Sequence, residues 1–110
     1  MIRSPASINA PELSLVVPMY NEENVIQRFF DTVRPILDDI GLPYEIVCVN
    51  DGSRDATLLA LTGIARKDPR VRVVDLTRNF GKEAALTAGL DLARGSAVIP
   101  IDGGALAGRI

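Results

Sequence analysis

Polar residues that could bind a ligand follow each of four short apolar runs in this 110-residue sequence. Carboxylates and amides can hydrogen-bond a polar ligand, and an aromatic ring can cover a flat one. Taken singly, each polar group also has a structural interpretation as a strand end, a helix cap, a turn or a solvated helix residue. Together, the four groups favour a binding site. They are residues 18–23, 50–53 and 78–82 and the single residue Asp102.

The four apolar runs predict short strands that are buried on both faces. Each run is followed by turn residues and, like strands of parallel sheets under helical crossovers, lacks an alternating polar face. The predicted strands are residues 13–17, 44–49, 71–76 and 97–101.

Apolar residues at three- and four-residue spacing predict helices between these strands. The first helix is expected to run from an N-cap at Asn21 to a stop at Gly41, with a kink or an early end at Pro35. The second helix is predicted over residues 55–67 and the third over residues 82–94. The third helix has an inner face that is small enough to lie close to a sheet. That face comprises Ala85, Ala88, Gly89 and Leu92.

The alternation of strands and helices predicts an α/β fold with a parallel sheet and helices on both faces. Crossovers between parallel strands are right-handed, and the doubly wound, Rossmann-like order 3-2-1-4 is the expected one. In such sheets a ligand binds beyond the carboxyl ends of the strands, where the strand order reverses. Because the polar segments follow these ends, we expect them to meet along one edge of the sheet.

Composition and charge argue against several classes of function. The formal net charge is −2 and both signs are mixed along the chain, so no nucleic-acid partner is expected. The absence of histidine excludes Ser-His and Cys-His catalysis within this chain. The one cysteine, Cys48, lies in an apolar run and is interpreted as a buried structural thiol. We identify neither a signal peptide nor an apolar run of about 20 residues, and we expect a cytoplasmic location.

The usual nucleotide fingerprints are missing as well. No GxGxxG motif follows the first strand, and residues 80–83 lack the GK[ST] ending of a P-loop. A dehydrogenase is therefore a remote alternative. A nucleotide bound here would need another device to hold its phosphates, and a divalent metal held by an aspartate is the obvious one.

Three motifs in these polar segments resemble family 2 glycosyltransferases. Residues 16–23 (VVPMYNEE) look like the opening of that family, and residues 49–55 (VNDGSRD) look like its second motif. Residues 78–89 (RNFGKEAALTAG) are similar to the third, in wording typical of the polyprenyl-phosphate mannose and glucose transferase branch. The resemblance extends from about residue 13 to residue 102 and is specific for the family, but less so for the sugar.

The resemblance implies a GT-A fold, a UDP- or GDP-sugar donor, a divalent Mg²⁺ or Mn²⁺ ion and a polyprenyl phosphate acceptor at the cytoplasmic face of the membrane. The transfer would invert the anomeric centre. Carried over by position, the resemblance assigns no catalytic residue within this chain, but it assigns several binding roles. Pro18, Tyr20 and Glu22 would line the base and ribose pocket, Asp51 would hydrogen-bond the base, Lys82 would lie near the nucleotide, and Asp102 would contact ribose and metal.

The sequence departs from the family pattern after Asp102. Gly104 stands where the second aspartate of the DxD motif belongs, which is expected to weaken metal binding. We therefore divide the chain into a loose tail (1–11), the nucleotide-sugar-binding half of a GT-A domain (12–102) and a segment unlike the family (103–110). The abrupt change suggests a truncated or frameshifted product.

A sheet that stops after its fourth strand would leave that strand as an edge, so marginal stability and self-association are expected. Two alternatives to an active transferase remain open. The chain could be a catalytically inactive remnant that still binds a nucleotide, or a fragment that interacts with another chain.

Overall fold

A computed structural model describes residues 10–101 of the chain. The predicted tail segments 1–11 and 103–110 therefore lie largely or wholly outside the described residues. Within residues 10–101, four strands and three helices alternate, as the sequence predicts. They are β1 (Leu13–Met19), α1 (Ile26–Ile40), β2 (Tyr44–Asn50), α2 (Thr57–Lys67), β3 (Val71–Asp75), α3 (Lys82–Leu92) and β4 (Ala97–Pro100).

The strands form one parallel sheet in the order β3-β2-β1-β4, which confirms the predicted order 3-2-1-4. Leu13 of β1 pairs with Tyr44 of β2 on one side and with Ala97 of β4 on the other. Every residue of β1 and β2 is buried, whereas every residue of β4 is exposed, so the prediction of a buried fourth strand was wrong. Within the described residues, β3 and β4 are the two edges of the sheet.

Alternate side chains of β1 and β2 point to opposite faces, and helices cover both faces. On one face Val17 and Ile46 belong to a core cluster with Phe30 of α1 and Leu61 of α2. On the other face Val16, Val47 and Val49 cluster with Ala85 of α3. Cys48 is fully buried in the first cluster, and this burial raises the pKa of its thiol to about 12. The structure thus agrees with a structural thiol.

Helix α3 approaches the sheet through Ala85 and Gly89, which are its two buried residues. Leu92, predicted for the same inner face, is 44% exposed, so that prediction was wrong. The helix ends at Leu92, short of the predicted residue 94, because Ala93 takes an extended conformation with a ψ of 139°. Ala93 and Arg94, which the prediction placed in this helix, therefore lie outside it.

The start of α1 differs from the prediction. The helix begins at Ile26, and its N-cap is Val25, not Asn21. Asn21 instead has a φ of 51° in the preceding loop, and its side-chain oxygen accepts the backbone N–H of Arg54. The Asn21 side chain thus bonds the loop after β2 instead of capping α1.

Two further predictions for helix ends had different outcomes. Gly41 ends α1 in the left-handed conformation with a φ of 79°, as expected. Pro35 does not end the helix, which continues to Ile40. Within residues 10–101, none of the helices combines the length and the apolar character that crossing a bilayer requires.

A buried carboxylate fastens the turn that leads into β4. Glu45 of β2 is 2% exposed and accepts hydrogen bonds from Ser14 Oγ (2.6 Å), Arg72 Nη1 (2.7 Å) and the backbone N–H of Arg94 (2.7 Å). Burial alone would raise the pKa of this carboxyl, but these bonds to the ionised form outweigh it and lower the pKa. Ser14 Oγ in turn accepts the backbone N–H of Gly95.

Gly89→Ala is expected to lower the free energy of unfolding by about 1–3 kcal/mol, because the added methyl overpacks a filled interface. A Cβ at position 89 would lie 2.4 Å from Val16 Cγ1 and 2.9 Å from Val49 Cγ2. Gly63→Ala is the matched control, because a Cβ on that glycine of α2 meets no atom within 4 Å. It should stabilise the helix by about 0.5–1 kcal/mol. Denaturant titration of both variants is the measurement, and equal stabilities would contradict the close approach.

Candidate nucleotide-binding cleft

Five of the six residues predicted to bind a ligand line one cleft of about 320 Å³. The cleft lies beyond the carboxyl ends of β1 and β2, beside the first residue of α3. The sixth predicted residue, Asp102, lies outside the described residues, as does Gly104. The five that the structure brings together are Pro18, Tyr20, Glu22, Asp51 and Lys82.

Tyr20 and Glu22 reach the cleft from the loop that follows β1. The turn between them is made at Asn21, whose φ of 51° lies in the left-handed region that asparagine tolerates better than most residues. Tyr20 is 43% exposed, so its ring forms part of the rim. The left-handed turn allows residues on both sides of Asn21 to line the same cleft.

Asp51 joins the loop after β2 to the loop after β3. Its carboxylate accepts the backbone N–H groups of Phe80 (2.8 Å) and Gly81 (3.1 Å) and the side-chain amide of Asn79 (3.2 Å). The residue is only 3% exposed. Since an ionised carboxylate has about four acceptor positions, roughly one is left for a ligand. Asp51 therefore shapes the cleft as well as lining it.

Gly52 lets these two loops approach each other. A Cβ on this residue would lie 2.3 Å from the backbone carbon of Arg78 and 2.3 Å from the backbone nitrogen of Asn79. Its φ of 67° is also one that residues with a side chain rarely adopt. The Asp51-Gly52 pair thus does more than form the turn that its sequence suggests.

Three further residues complete the lining of the cleft: Met19, Asn79 and Gly81. Asn79 was not assigned a binding role from the sequence, although it lies in the polar segment 78–82. Its amide donates to the backbone oxygen of Asp51 as well as to the carboxylate. The available signal was an amide within the polar segment that follows the third strand.

Asp55 does not line the cleft but contacts the loop that does. Its Oδ2 accepts the backbone N–H of Glu23 (3.2 Å), and its Oδ1 accepts the backbone N–H of Thr57 (2.9 Å). Partial desolvation opposes the charge of this carboxyl, but the bonds from Thr57 and Glu23 outweigh it and lower the pKa of Asp55. The hydrogen bonds from these segments therefore favour the ionised form of Asp55.

The residues of the structure do not supply a complete metal site by themselves. Among residues 10–101, no group of three or more histidine, cysteine or carboxylate side chains could hold a metal ion. Ile101, the last described residue, donates its backbone N–H to Val16 of β1 at 2.8 Å. The chain is thus still attached to β1 at the position before Asp102.

The sequence and the fold both match proteins of known family. Residues 14–103 match the sequence profile of Glycosyl transferase family 2. A prophage bactoprenol glucosyl transferase homolog of Escherichia coli K12 is 52% identical over 91 residues, which cover 83% of this chain and 30% of the relative. The dodecaprenyl-phosphate galacturonate synthase of Rhizobium johnstonii is 40% identical over 97 residues, which cover 87% of this chain and 29% of the relative.

Two solved structures have a similar fold. The mannosyltransferase PcManGT of Pyrobaculum calidifontis, solved with GDP-Man and Mn²⁺, is 30% identical with a TM-score of 0.72 over 86% of this chain and 28% of that protein. S. aureus TarS 1–349, solved with UDP, is 27% identical with a TM-score of 0.68 over 84% of this chain and 27% of that protein. This chain therefore spans less than a third of the length of these relatives.

Asp51→Asn is expected to destabilise the protein by about 1–3 kcal/mol, because Phe80 and Gly81 donate to different carboxylate oxygens and asparagine replaces one of these oxygens with an NH2 donor. Hydrogen exchange at the amides of Phe80 and Gly81 should also become faster. Asp39→Asn is the control, since Asp39 is an exposed residue of α1 and its replacement should change stability by less than about 0.5 kcal/mol. Chemical denaturation and amide exchange measure both effects; unchanged protection of the two amides would refute the role of Asp51.

Proposed function

This chain belongs to glycosyl transferase family 2, and on that premise we propose that it forms the nucleotide-sugar-binding half of a sugar transferase. The donor would be a UDP- or GDP-sugar, the acceptor a polyprenyl phosphate, and the transfer would invert the anomeric centre. The observation that carries the proposal is the cleft at the carboxyl ends of β1 and β2, where five residues of the family motifs converge. We assign residues 12–102 to this binding half.

The related proteins support both substrates. Relatives more than 40% identical include bactoprenol glucosyl transferases, so a polyprenyl phosphate is the proposed acceptor. The two structural neighbours were solved with GDP-Man and with UDP, so UDP or GDP is the proposed carrier of the sugar. An acceptor of this kind would place the intact enzyme at the cytoplasmic face of a membrane.

The side chains in the cleft suit the parts of a nucleotide. The exposed ring of Tyr20 can cover one face of the base. The remaining acceptor position of Asp51 can take a base N–H, which discriminates between bases by hydrogen bonding. Lys82 is the first residue of α3, so its ammonium group and the positive end of that helix both favour phosphate oxygens. Pro18 and Glu22 would contact the base and the ribose.

Asp102 is the proposed ligand of a divalent ion, Mg²⁺ or Mn²⁺. One carboxylate fits such a site, because Mg²⁺ is commonly bound by one or two carboxylates together with substrate phosphates. When bound, the ion would neutralise charge on the diphosphate as it leaves. Gly104 offers no second carboxylate, and metal affinity should be correspondingly weak.

The reaction itself makes few demands on the described residues. A phosphate oxygen of the acceptor would attack the anomeric carbon as the bond from that carbon to the nucleoside diphosphate breaks. Because a lipid phosphate is already an anion, a strong general base is not required. The described residues would therefore bind and orient the donor. A chain that binds the nucleotide without transferring sugar would instead be an inactive remnant or an interaction fragment.

Tyr20→Ala is expected to weaken nucleotide binding about tenfold, because stacking on a base contributes about 1–3 kcal/mol. Isothermal titration with UDP and with GDP, each in the presence of Mn²⁺, measures the affinity. Leu42→Ala is the matched control, because Leu42 is 44% exposed, as Tyr20 is 43% exposed, and does not line the cleft. A folded chain that binds neither nucleotide would overturn the proposed function.

We further propose that the isolated chain self-associates through β4. This strand is paired with β1 on one side only within the described residues, and its Val98 and Ile99 are 37% and 40% exposed. An apolar strand with unpaired backbone groups is a template for a second copy of itself.

Val98→Lys is expected to shift the chain towards monomer, because a charge on an edge strand blocks pairing between edges. Sedimentation velocity over a range of protein concentrations measures the association. Ile36→Lys is the control, since Ile36 is 57% exposed and belongs to α1, not to the edge strand. A wild-type chain that remains monomeric throughout the range would remove the basis for this proposal.

A further inference from the structure

The loop after β1 (residues 20–25, the β1 loop) is held by the loop after β2 and the first residue of α2 (residues 51–57, the β2 segment). Three consecutive backbone N–H groups of the β1 loop donate to side chains of the β2 segment. Their donor–acceptor pairs are Asn21 to Ser53 Oγ (2.9 Å), Glu22 to Thr57 Oγ1 (2.8 Å) and Glu23 to Asp55 Oδ2 (3.2 Å).

Bonds also run in the opposite direction between the same two segments. The backbone N–H of Arg54 donates to Asn21 Oδ1 at 2.8 Å, and that of Ala56 donates to Glu23 Oε1 at 3.2 Å. A residue with a side chain in the left-handed conformation, such as Asn21, costs free energy and is stable only where surrounding contacts hold it there. The bonds in both directions between the two segments hold Asn21 in this conformation.

Asp55 has a central place among these bonds because its two oxygens serve different partners. Oδ2 accepts the N–H of Glu23 in the β1 loop, while Oδ1 accepts both the backbone N–H and the hydroxyl of Thr57 at the start of α2. The Thr57 hydroxyl, oriented by that bond, accepts the N–H of Glu22. One carboxylate therefore fixes two neighbouring amides of the β1 loop, one directly and one through Thr57.

We propose that Asp55 is a positioning residue for the nucleotide cleft, which it shapes by holding the β1 loop in the conformation that directs Tyr20 and Glu22 into it. The expected effect on ligand binding rests on the proposed nucleotide-binding function, but the positioning of the β1 loop is a property of the protein without ligand. Asp55 does not line the cleft, so its effect on a ligand is indirect.

Two substitutions separate positioning of the loop from support of the helix. In Asp55→Ser the hydroxyl can still accept the N–H of Thr57, two residues later, but is too short to reach Glu23. In Asp55→Ala all three bonds to the Asp55 carboxylate are lost. We expect Asp55→Ser to unfold at nearly the same denaturant concentration as the wild type and Asp55→Ala to unfold at a lower one. Both should bind the nucleotide about tenfold more weakly, as expected for loss of a hydrogen bond to a charged group.

Titration with UDP and with GDP, beside denaturant unfolding, measures both properties. Asp39→Ser, on the exposed side of α1, is the control and should bind as the wild type does. Binding of wild-type strength by Asp55→Ser would overturn the proposal, because the support of α2 would then be the only role of Asp55.

A measurement without nucleotide keeps the two proposals separate. The chain has two tyrosines and no tryptophan, so Tyr44→Phe gives a background in which Tyr20 is the one remaining tyrosine and the source of the intrinsic fluorescence. In that background, Asp55→Ser and Asp55→Ala should increase quenching of Tyr20 by acrylamide. If the wild type binds neither nucleotide while Tyr20 responds, the proposed function fails and the positioning stands. If Tyr20 is unaffected, the positioning fails, whatever the nucleotide titrations give.

Discussion

The burial of β1 and β2 on both faces is the constraint on which the rest of the structure depends. Each strand has seven residues, all of them buried, and helices must cover both sides to keep them so. Such strands leave little room for polar side chains except at their ends. Where a carboxylate does lie within the sheet, as Glu45 does, several donors surround it. Polar chemistry is therefore concentrated at the carboxyl edge.

At that edge the loops are organised by one another more than by the sheet. Asp51 accepts the amides of the loop after β3, and Gly52 lets the two backbones come into contact. Backbone N–H groups that have no partner in a strand or helix thus find side-chain acceptors in a neighbouring loop. The cleft owes its shape to these cross-loop bonds, so the residues that define it are not all residues that face it.

The sequence was sufficient to predict the strands, their order and five of the eight residues that line the cleft. Apolar runs and turn residues are local signals, and parallel order follows from the alternation with helices. The details of the loops were not predictable in the same way. Asn21 has the residue type of a helix cap, but its actual partner is the amide of Arg54, 33 positions later. A contact between residues so far apart in the chain produces no periodic pattern from which it could be predicted.

The anchoring of β4 also bears on the order in which the sheet assembles. The bond from Gly95 to Ser14 joins residues 81 positions apart, and the bond from Arg94 to Glu45 joins residues 49 apart. Closing long loops costs more chain entropy than closing the short β–α–β units, so such contacts tend to form late. We therefore expect β1, β2 and β3 to associate first and β4 to dock afterwards. The strand that leads to Asp102 would then be the last to gain its place during folding.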